Sequence, residues 1–508
     1  MVNWNRLLDK EVVNLVRTKR FARKPGSDGE KLDLYLEGNG TRFKKGESPH
    51  LARLKSELNS GDYRPRPVFK RRVPKTGSGS RAVYSLASRD YLVSRAVARA
   101  LVERDEAFAS KGAKEVVLNL VQHLKGDDGT RSTIGGFIRL DVRDYYDSIP
   151  EGRVTRALME RGLDRNEAGE PPRRLTPIAV LQMLGEAPVW KSSEQVNDQS
   201  STYAPQGFPH SAAMAQWYLH HYFLSKKRAY SLSTRVKPAV FRYVDDILLL
   251  YPNSVSKWRL HCDFAWMKLR FHVLGLRIHP RPSKKEVKKS QPKTAKTMIV
   301  KCHQGRRESF KFLGLSLSIS ETGIGNVTVP EDVLKNRKTY IWRQFNRYFG
   351  EKRPASIKKF DRHHRIQLLR YRILRDSAGC RYKGKSRGFV NYWGLSDDAS
   401  SFASLDRYVA KCCHEFGVVS NREPAISSDY TQSFRKIKAA KFNEIVKFNY
   451  DTMNDERRRR ILHEEFGVSK TMLAPLSSGE LNHLWHEILR GDLVDLPVGG
   501  YHFGRGTS

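Results

Sequence analysis

The stretch "FRYVDDILLLY", Phe241 to Tyr251, decides how this chain is read. Two adjacent carboxylates, Asp245 and Asp246, interrupt a run of apolar, β-branched and aromatic residues that otherwise reads as buried strand. "PAVFRYVDD" and "ILLLYP" fit two strands joined tightly at the aspartates. Two charges side by side in a partly buried turn repel one another. A divalent cation is the simplest remedy, because hard cations take carboxylate oxygens. An Asp-Asp pair alone is more often an ordinary turn, so a metal site needs a second strand end carrying a carboxylate. "FIRLDVRDYYDSIP" supplies it: Asp141 closes the apolar run Phe137 to Leu140. Two such strand ends brought together could hold a pair of Mg²⁺ ions. One would lower the pKa of an attacking hydroxyl, and both would stabilise in-line displacement at phosphorus. In such a scheme the protein positions groups and neutralises charge.

Working outward, the chain has 508 residues, enough for about three domains or one large core with appendages. A hydrophobic content of 39% supports a folded core. Ninety-two Lys and Arg against 54 Asp and Glu leave a formal charge of +38 and a pI near 10.1. That excess predicts attraction to polyanions, nucleic acid first. A membrane partner is not expected, since there is no long apolar span and no isolated basic amphipathic helix. "MVNWNRLLDKEVVNL" places charges where a secretion signal needs apolar residues. Five irregularly spaced cysteines argue against a disulfide framework and for a reducing, cytoplasmic setting. "KCCHEF" reads as core thiols on a helix rather than half a zinc site, because no second Cys/His pair stands at ligand spacing.

Residues 1 to about 75 mix short helical patterns with Gly-rich turns. "YLVSRAVARALVERDEAFA" has helical spacing, and "GGFIRLDVRDYYDSI" begins as a strand and enters a turn. Residues 151 to 203 read as helix and loop, and "SAAMAQWYLHHYFLSKKRAY" as a long helix. "FKFLGLSLSIS" with "NVTV" reads as another hairpin. From Pro330 onward the pattern is almost all helix, opening at "VPEDVLKNRKTYIWRQF" with Pro and acidic residues where a helix start favours them. The fold class expected is α+β followed by a helical C-terminal part.

In chain order, "RLDVRDYYDSI", "APQGFPHSAAMAQWYL" and "YVDD" resemble the palm motifs of reverse transcriptases. Upstream, "GDYRPRPVFKRRVPKTGSGSRAVYSLASRDYLVSRAVARAL" resembles the fingers motifs of the bacterial and group II intron branch. Downstream, "LGLRIHPRPSKKE" and "FKFLGLSLS" resemble the two motifs that close the palm. The resemblance spans roughly residues 20 to 320 and implies a right-hand polymerase. Its expected parts are an N-terminal extension with fingers (1–140), a palm (141–329, with an insertion at about 151–204), a helical thumb (330–420) and a helical extension (421–508).

The resemblance also implies residue roles. Asp141, Asp245 and Asp246 would bind two Mg²⁺ ions. Tyr146, five residues after Asp141, would crowd the sugar 2′ position and exclude ribonucleotides, making the product DNA. Gln206 and Gly207 would line the nucleotide site, where Gly permits close backbone approach. Lys75 and Arg81, flanking "TGSGS", would grip the incoming triphosphate. Lys284, with Lys285 nearly as good a match, would assist proton transfer to pyrophosphate. Phe312, Leu313 and Gly314 would form the hairpin that positions the primer end.

Several features depart from the group II intron pattern. "SKGAKEVVLNLVQHLKG" replaces its block between fingers and palm, "EAPVWKSSEQVNDQSSTY" is long and polar, and "HSAAMA" has alanine where proline is usual. No zinc-binding or HNH-type nuclease pattern follows. "SRGFVNYWGLSDDASSFASLDRYVAKCCHEF" loosely resembles the helical thumb of intron proteins, whose basic helices would hold duplex or structured RNA by phosphate and shape. The helical segment near 450 to 490 could build a homo-oligomer interface or brace the thumb. The combination is most similar to stand-alone, defence-associated reverse transcriptases of the abortive-infection type. These work with noncoding RNA or make DNA without a conventional template, and some prime on a protein hydroxyl, for which Tyr501 is a candidate. The implied partners are RNA, dNTPs and the DNA product, with no membrane. The competing readings are a retron or intron-type enzyme serving element mobility and a noncatalytic RNA-binding maturase. The five intact residues Asp141, Tyr146, Gln206, Asp245 and Asp246 argue against the last, since binding alone does not need them.

Overall fold

The computed structural model describes residues 3–18, 48–74, 80–109, 112–125, 133–160, 175–191, 194–196, 204–224, 237–280, 296–302, 307–351, 353–358, 360–382, 385–421, 423–438, 448–450, 452–464 and 466–493. It is a mixed helix and sheet protein whose chain divides into two compact units. The first draws on Met1–Lys111 and Ile134–Cys302, the second on Gly112–Thr133 and His303–His502.

The first unit is organised by one strand. β3 (Ile134–Arg143) pairs antiparallel with β7 (Asp246–Pro252), and β7 pairs with β6 (Ala239–Tyr243). On its other side β3 pairs with β8 (Arg277–Ile278) and β9 (Met298–Lys301). Ile247 to Tyr251 are all buried, so both faces of β7 are covered. That explains why "ILLLY" is an unbroken apolar run rather than an alternating one. One cover is the helix Lys257–Val273, which buries Leu260, Met267 and Phe271. Gly136 permits that close approach: a Cβ there would stand 2.7 Å from Leu260 Cδ1 and 2.9 Å from the Val300 carbonyl.

A second sheet in this unit joins β1 (Val68–Pro74) and β2 (Ser80–Ser85) antiparallel, with β4 (Val189–Lys191) parallel to β1 and β5 (Glu194–Val196) beyond it. The sequence reading had given the 151–203 region only helix and loop. The helices Glu151–Met159 and Pro177–Glu186 are there, but β4 adds to the exposed edge of β1, a pairing between segments far apart in sequence. The helix expected over Tyr91 to Ala109 runs Ser88–Arg104 and gives way to a 3₁₀ turn at Glu106–Phe108, and the long helix expected from Ser211 is Pro209–Leu219, ending in a π-helical turn at His220–Leu224. Trp217 stacks on Phe108 with centroids 5.0 Å apart, inside a core that also holds Trp4, Leu92 and Leu249.

In the second unit the expected hairpin is a three-stranded meander of β10 (Glu308–Phe312), β11 (Leu315–Ile319) and β12 (Gly325–Thr328). Leu313 and Gly314 form the first turn at φ 47° and 78°. Two left-handed residues give a turn whose twist matches its strands. "NVTV" therefore adds a third strand, rather than closing a hairpin with the whole of "FKFLGLSLSIS". Helices Glu331–Phe349, Arg362–Ala378, Ala399–Glu415, Asp455–Glu464 and Ser478–Leu493 follow. The expectation of almost pure helix is corrected by two small sheets. Cys380–Tyr382 pairs with Lys385–Arg387 and Phe448–Asn449, and Val419–Ser420 pairs with Glu423–Pro424. Segments this short carry too little period-2 signal to be seen in sequence. Cys412 and Cys413 are buried on their helix, as read.

Candidate active site

β6 and β7 are joined by the two-residue turn Val244–Asp245, closed by the pair Tyr243 and Asp246. Val244 has φ 54°, a left-handed conformation that costs a β-branched residue about 1–3 kcal/mol. Strand pairing on both sides holds it there. Asp246 stands directly opposite Asp141 across the β3–β7 ladder. Directly opposed residues of an antiparallel pair project from the same face with Cβ atoms about 5 Å apart. The Val142 N–H donates to the Asp245 carbonyl at 3.4 Å, and the His279 N–H donates to the Asp141 carbonyl at 3.0 Å. The backbone thus gathers Asp141, Asp245 and Asp246 at one end of the sheet. The three aspartates singled out from sequence, a hundred residues apart, are brought together.

Their electrostatics are those of crowded carboxylates. Burial, then repulsion from Asp246 and Asp141, pushes the Asp245 carboxyl up to about 7. Burial also raises Asp246; Arg139 opposes the shift and Asp141 adds to it. Two cations and an imidazole stand against this charge. Arg139 Nη2 lies 3.4 Å from Asp246 Oδ1, and Lys296 Nζ lies 3.0 Å from Asp141 Oδ2. His279 Nε2 lies 3.5 Å from Asp141 Oδ1 and 3.1 Å from Lys296 Nζ. Burial lowers the His279 pKa; Asp141 opposes this and Lys296 reinforces it. A neutral imidazole can accept from the Lys296 ammonium at Nε2.

Whether a metal fits can be judged from this donor set. Among the described residues, no three His, Cys, Asp or Glu side chains already converge into a cage. The donors are nonetheless all carboxylate oxygens, the ligands Mg²⁺ prefers, and their mutual repulsion is what a divalent cation relieves. The set fits a hard cation, provided Lys296 yields its place on Asp141.

Around the aspartates, Asp144 takes φ 45° and turns the chain out of β3 into the short 3₁₀ helix Tyr146–Ser148. The two neighbouring tyrosines separate cleanly. Tyr145 is buried and donates its hydroxyl to the Ala215 carbonyl. Tyr146 is half-buried, its ring centroid 5.9 Å from that of Tyr145.

The "PQG" loop enters the helix Pro209–Leu219. The Gln206 carbonyl accepts the Tyr84 N–H at 2.8 Å, and Ser211 Oγ donates to the Pro205 carbonyl at 2.7 Å. Gly207 has φ 119°, and an added Cβ would run into the Tyr84 carbonyl oxygen. This glycine is required by geometry, and the loop is stitched to β2. The same β2 carries Arg81, opposite Val73. Lys75, Lys284 and Lys285 lie outside the described residues. Phe312, Leu313 and Gly314 belong to the second unit. Phe312 and Leu313 are buried there, and the Leu313 carbonyl accepts the Tyr392 hydroxyl of the "NYW" stretch.

The sequence reading missed Arg139, His279 and Lys296. Arg139 had a usable signal: two residues before Asp141 in a strand, it must share that residue's face. His279 and Lys296 had none, since only the β8 and β9 pairings carry them to β3.

No family model and no curated protein matches the chain. Among solved structures it is similar to the sicinivirus 3Dpol RNA-dependent RNA polymerase, with TM-score 0.40 and 11% identity over 86% of this chain and 85% of that one. It is also similar to telomerase from Candida albicans in complex with a TWJ fragment of telomeric RNA, with TM-score 0.35 and 13% identity over 87% of this chain and 64% of that one. At these levels the functional reading rests on the chain's own residues. Among the described residues, no helix is long and apolar enough to cross a membrane.

Proposed function

We propose that this protein is a reverse transcriptase, an RNA-directed DNA polymerase that adds dNTPs by Mg²⁺-dependent nucleotidyl transfer. One observation carries the reading: Asp141 stands opposite Asp246, and Asp245 occupies the turn beside them. In this reading residues 1–140 serve as fingers with an N-terminal extension, 141–329 as palm, 330–420 as thumb and 421–508 as an extension.

Asp141, Asp245 and Asp246 would hold two Mg²⁺ ions. When bound, the ions lower the pKa of the primer 3′ hydroxyl and neutralise the charge that builds on the triphosphate. The protein's own residues do the rest. The strained Val244 turn presents Asp245, and Arg139 anchors Asp246 by charge. Lys296, 3.0 Å from Asp141, is a second proton donor to departing pyrophosphate beside Lys284, and would give up Asp141 to a bound metal. Tyr146 bars the 2′ hydroxyl, and the Gln206–Gly207 backbone supports the nucleotide. Lys75 and Arg81 grip its phosphates, and the Phe312–Gly314 turn positions the primer end. The +38 charge supports phosphate contacts along template and duplex. Work with a noncoding RNA in antiphage defence is the biological setting that the family resemblance favours.

The test is incorporation of labelled dNTPs by purified protein with its copurifying RNA and Mg²⁺, with and without RNase, beside Asp245→Ala. DNA from the wild type alone supports the polymerase, and loss with RNase assigns the template or scaffold to RNA. Equal incorporation by the two proteins, or none even with cognate RNA and phage extract added, overturns it.

A further inference from the structure

The helix Lys257–Val273, KWRLHCDFAWMKLRFHV, is apolar on two opposite faces. One face buries Leu260, Met267 and Phe271 against the sheet. On the other, Trp258 is 73% exposed, Leu269 54% and Val273 57%. Ala265 between them is exposed and Cys262 half-buried. At 3.6 residues per turn, Trp258, Cys262, Ala265 and Leu269 fall within about 60° of one another. Their spacing of four, three and four residues is that of a seam that accepts one further helix. Small Cys262 and Ala265 leave a recess between the larger Trp258 and Leu269. From Trp258 to Val273 the stripe runs about 22 Å. A contiguous exposed apolar stripe of this kind marks an interaction surface.

The flanks name the partner. Lys257 and Lys268 stand exposed on one side with His261 and His272; on the other, Arg270 is half-buried beside Trp266 and Arg259 is taken up by an ion pair. The helix has a single acid, Asp263, which is fully buried and held by Arg259 at 2.7 Å and the Tyr251 hydroxyl at 3.1 Å. The outward face is therefore an apolar seam flanked by Lys257 and Lys268 on one side and Arg270 on the other, with no carboxylate of this helix on it. A second copy would set like charges against like. A nucleic acid would find one ring, Trp258, to stack on and otherwise Cys262, Ala265, Leu269 and Val273, with no cation along the seam to meet its phosphates. We propose that this face docks an acidic amphipathic helix of a partner protein, its apolar ridge in the Trp258–Val273 seam and its Asp and Glu flanks against Lys257, Lys268 and Arg270.

The probe is a synthetic fluorescein-labelled helix of about 18 residues with Leu along one face and Glu on both flanks, titrated with the full chain at about 0.15 M salt. Leu269→Gln and Trp258→Gln each change a solvent-facing side chain, so circular dichroism melts should match the wild type. Each should weaken the peptide about tenfold, and replacing the peptide's Leu by Ser at constant charge should do the same. The proposal is overturned if the Ser peptide binds equally well, because attraction is then mere charge. It is equally overturned if Leu269→Gln leaves peptide affinity unchanged. Three other effects of Leu269→Gln would also overturn it in favour of another occupant. Loss of binding to phosphatidylserine vesicles would point to a lipid surface, loss of affinity for an oligo(dT) strand to nucleic acid, and conversion of a sedimenting dimer to monomer to a second copy.

Discussion

Asp90 offers a measurement of how burial alone tunes the scaffold behind the site. It lies in the first turn of the helix Ser88–Arg104 and is fully buried. It accepts from the Tyr63 hydroxyl at 2.7 Å and the Arg66 N–H at 2.9 Å, with Arg89 Nε at 3.6 Å. Burial raises its carboxyl from 3.8 to about 6, against the pull of those three partners. A raised acid favours its neutral form in the folded state. Its contribution is therefore full below the unfolded value near 4 and is lost as pH climbs through the folded value near 6, the reverse of a salt-bridged aspartate. At about 1.36 kcal/mol per pH unit, the loss is on the order of 3 kcal/mol. Asp90→Asn removes that dependence and adds a constant penalty of about 1–3 kcal/mol, because its single amide oxygen can accept from only one of the Tyr63 hydroxyl and the Arg66 N–H. The assay is urea unfolding of wild type and variant, followed by protease susceptibility of the 88–104 segment between about pH 4 and pH 7. With an m-value of about 3 kcal/mol/M, the midpoint of the variant should gain about 1 M on wild type across that range. A midpoint difference that stays constant with pH, or a variant that falls further behind wild type as pH rises, would refute the reasoning.

Asp141→Asn and Asp246→Ala should each reduce DNA synthesis by at least about a hundredfold while RNA binding in a filter assay stays within about twofold of wild type. Gly207→Ala must adopt φ 119° and push against the Tyr84 carbonyl, so a loss of about 1–3 kcal/mol in thermal unfolding and a raised KM for dNTPs are expected. Lys296→Met should tighten Mn²⁺ binding about tenfold, read by electron paramagnetic resonance, because the ammonium no longer competes for Asp141, and should lower kcat. Tyr146→Ala should admit ribonucleotides, seen as a fall of about tenfold or more in the ratio of dNTP to NTP incorporation.

The sequence by itself determined the elements whose signal is local. The strands around "YVDD", the strand ending at Asp141, the turn chemistry of "FLG" and the long amphipathic helices follow from periodicity and turn residues within a dozen positions. The candidate metal-binding carboxylates were legible because two charges inside an apolar run contradict burial unless something there uses them. Tertiary structure decided what depends on pairing across distance. Asp246 faces Asp141 only through the register of β3 with β7, and Lys296 and His279 reach that carboxylate only because β9 and β8 pair with the same strand. No property of "QPKTAKTMIV" announces that Lys296 will stand beside an aspartate some 150 residues earlier. The short sheets, the joining of β4 to β1 and the second apolar face of the helix Lys257–Val273 belong to the same class. Each depends on which surfaces the fold covers and which it leaves bare, and a linear pattern does not encode that.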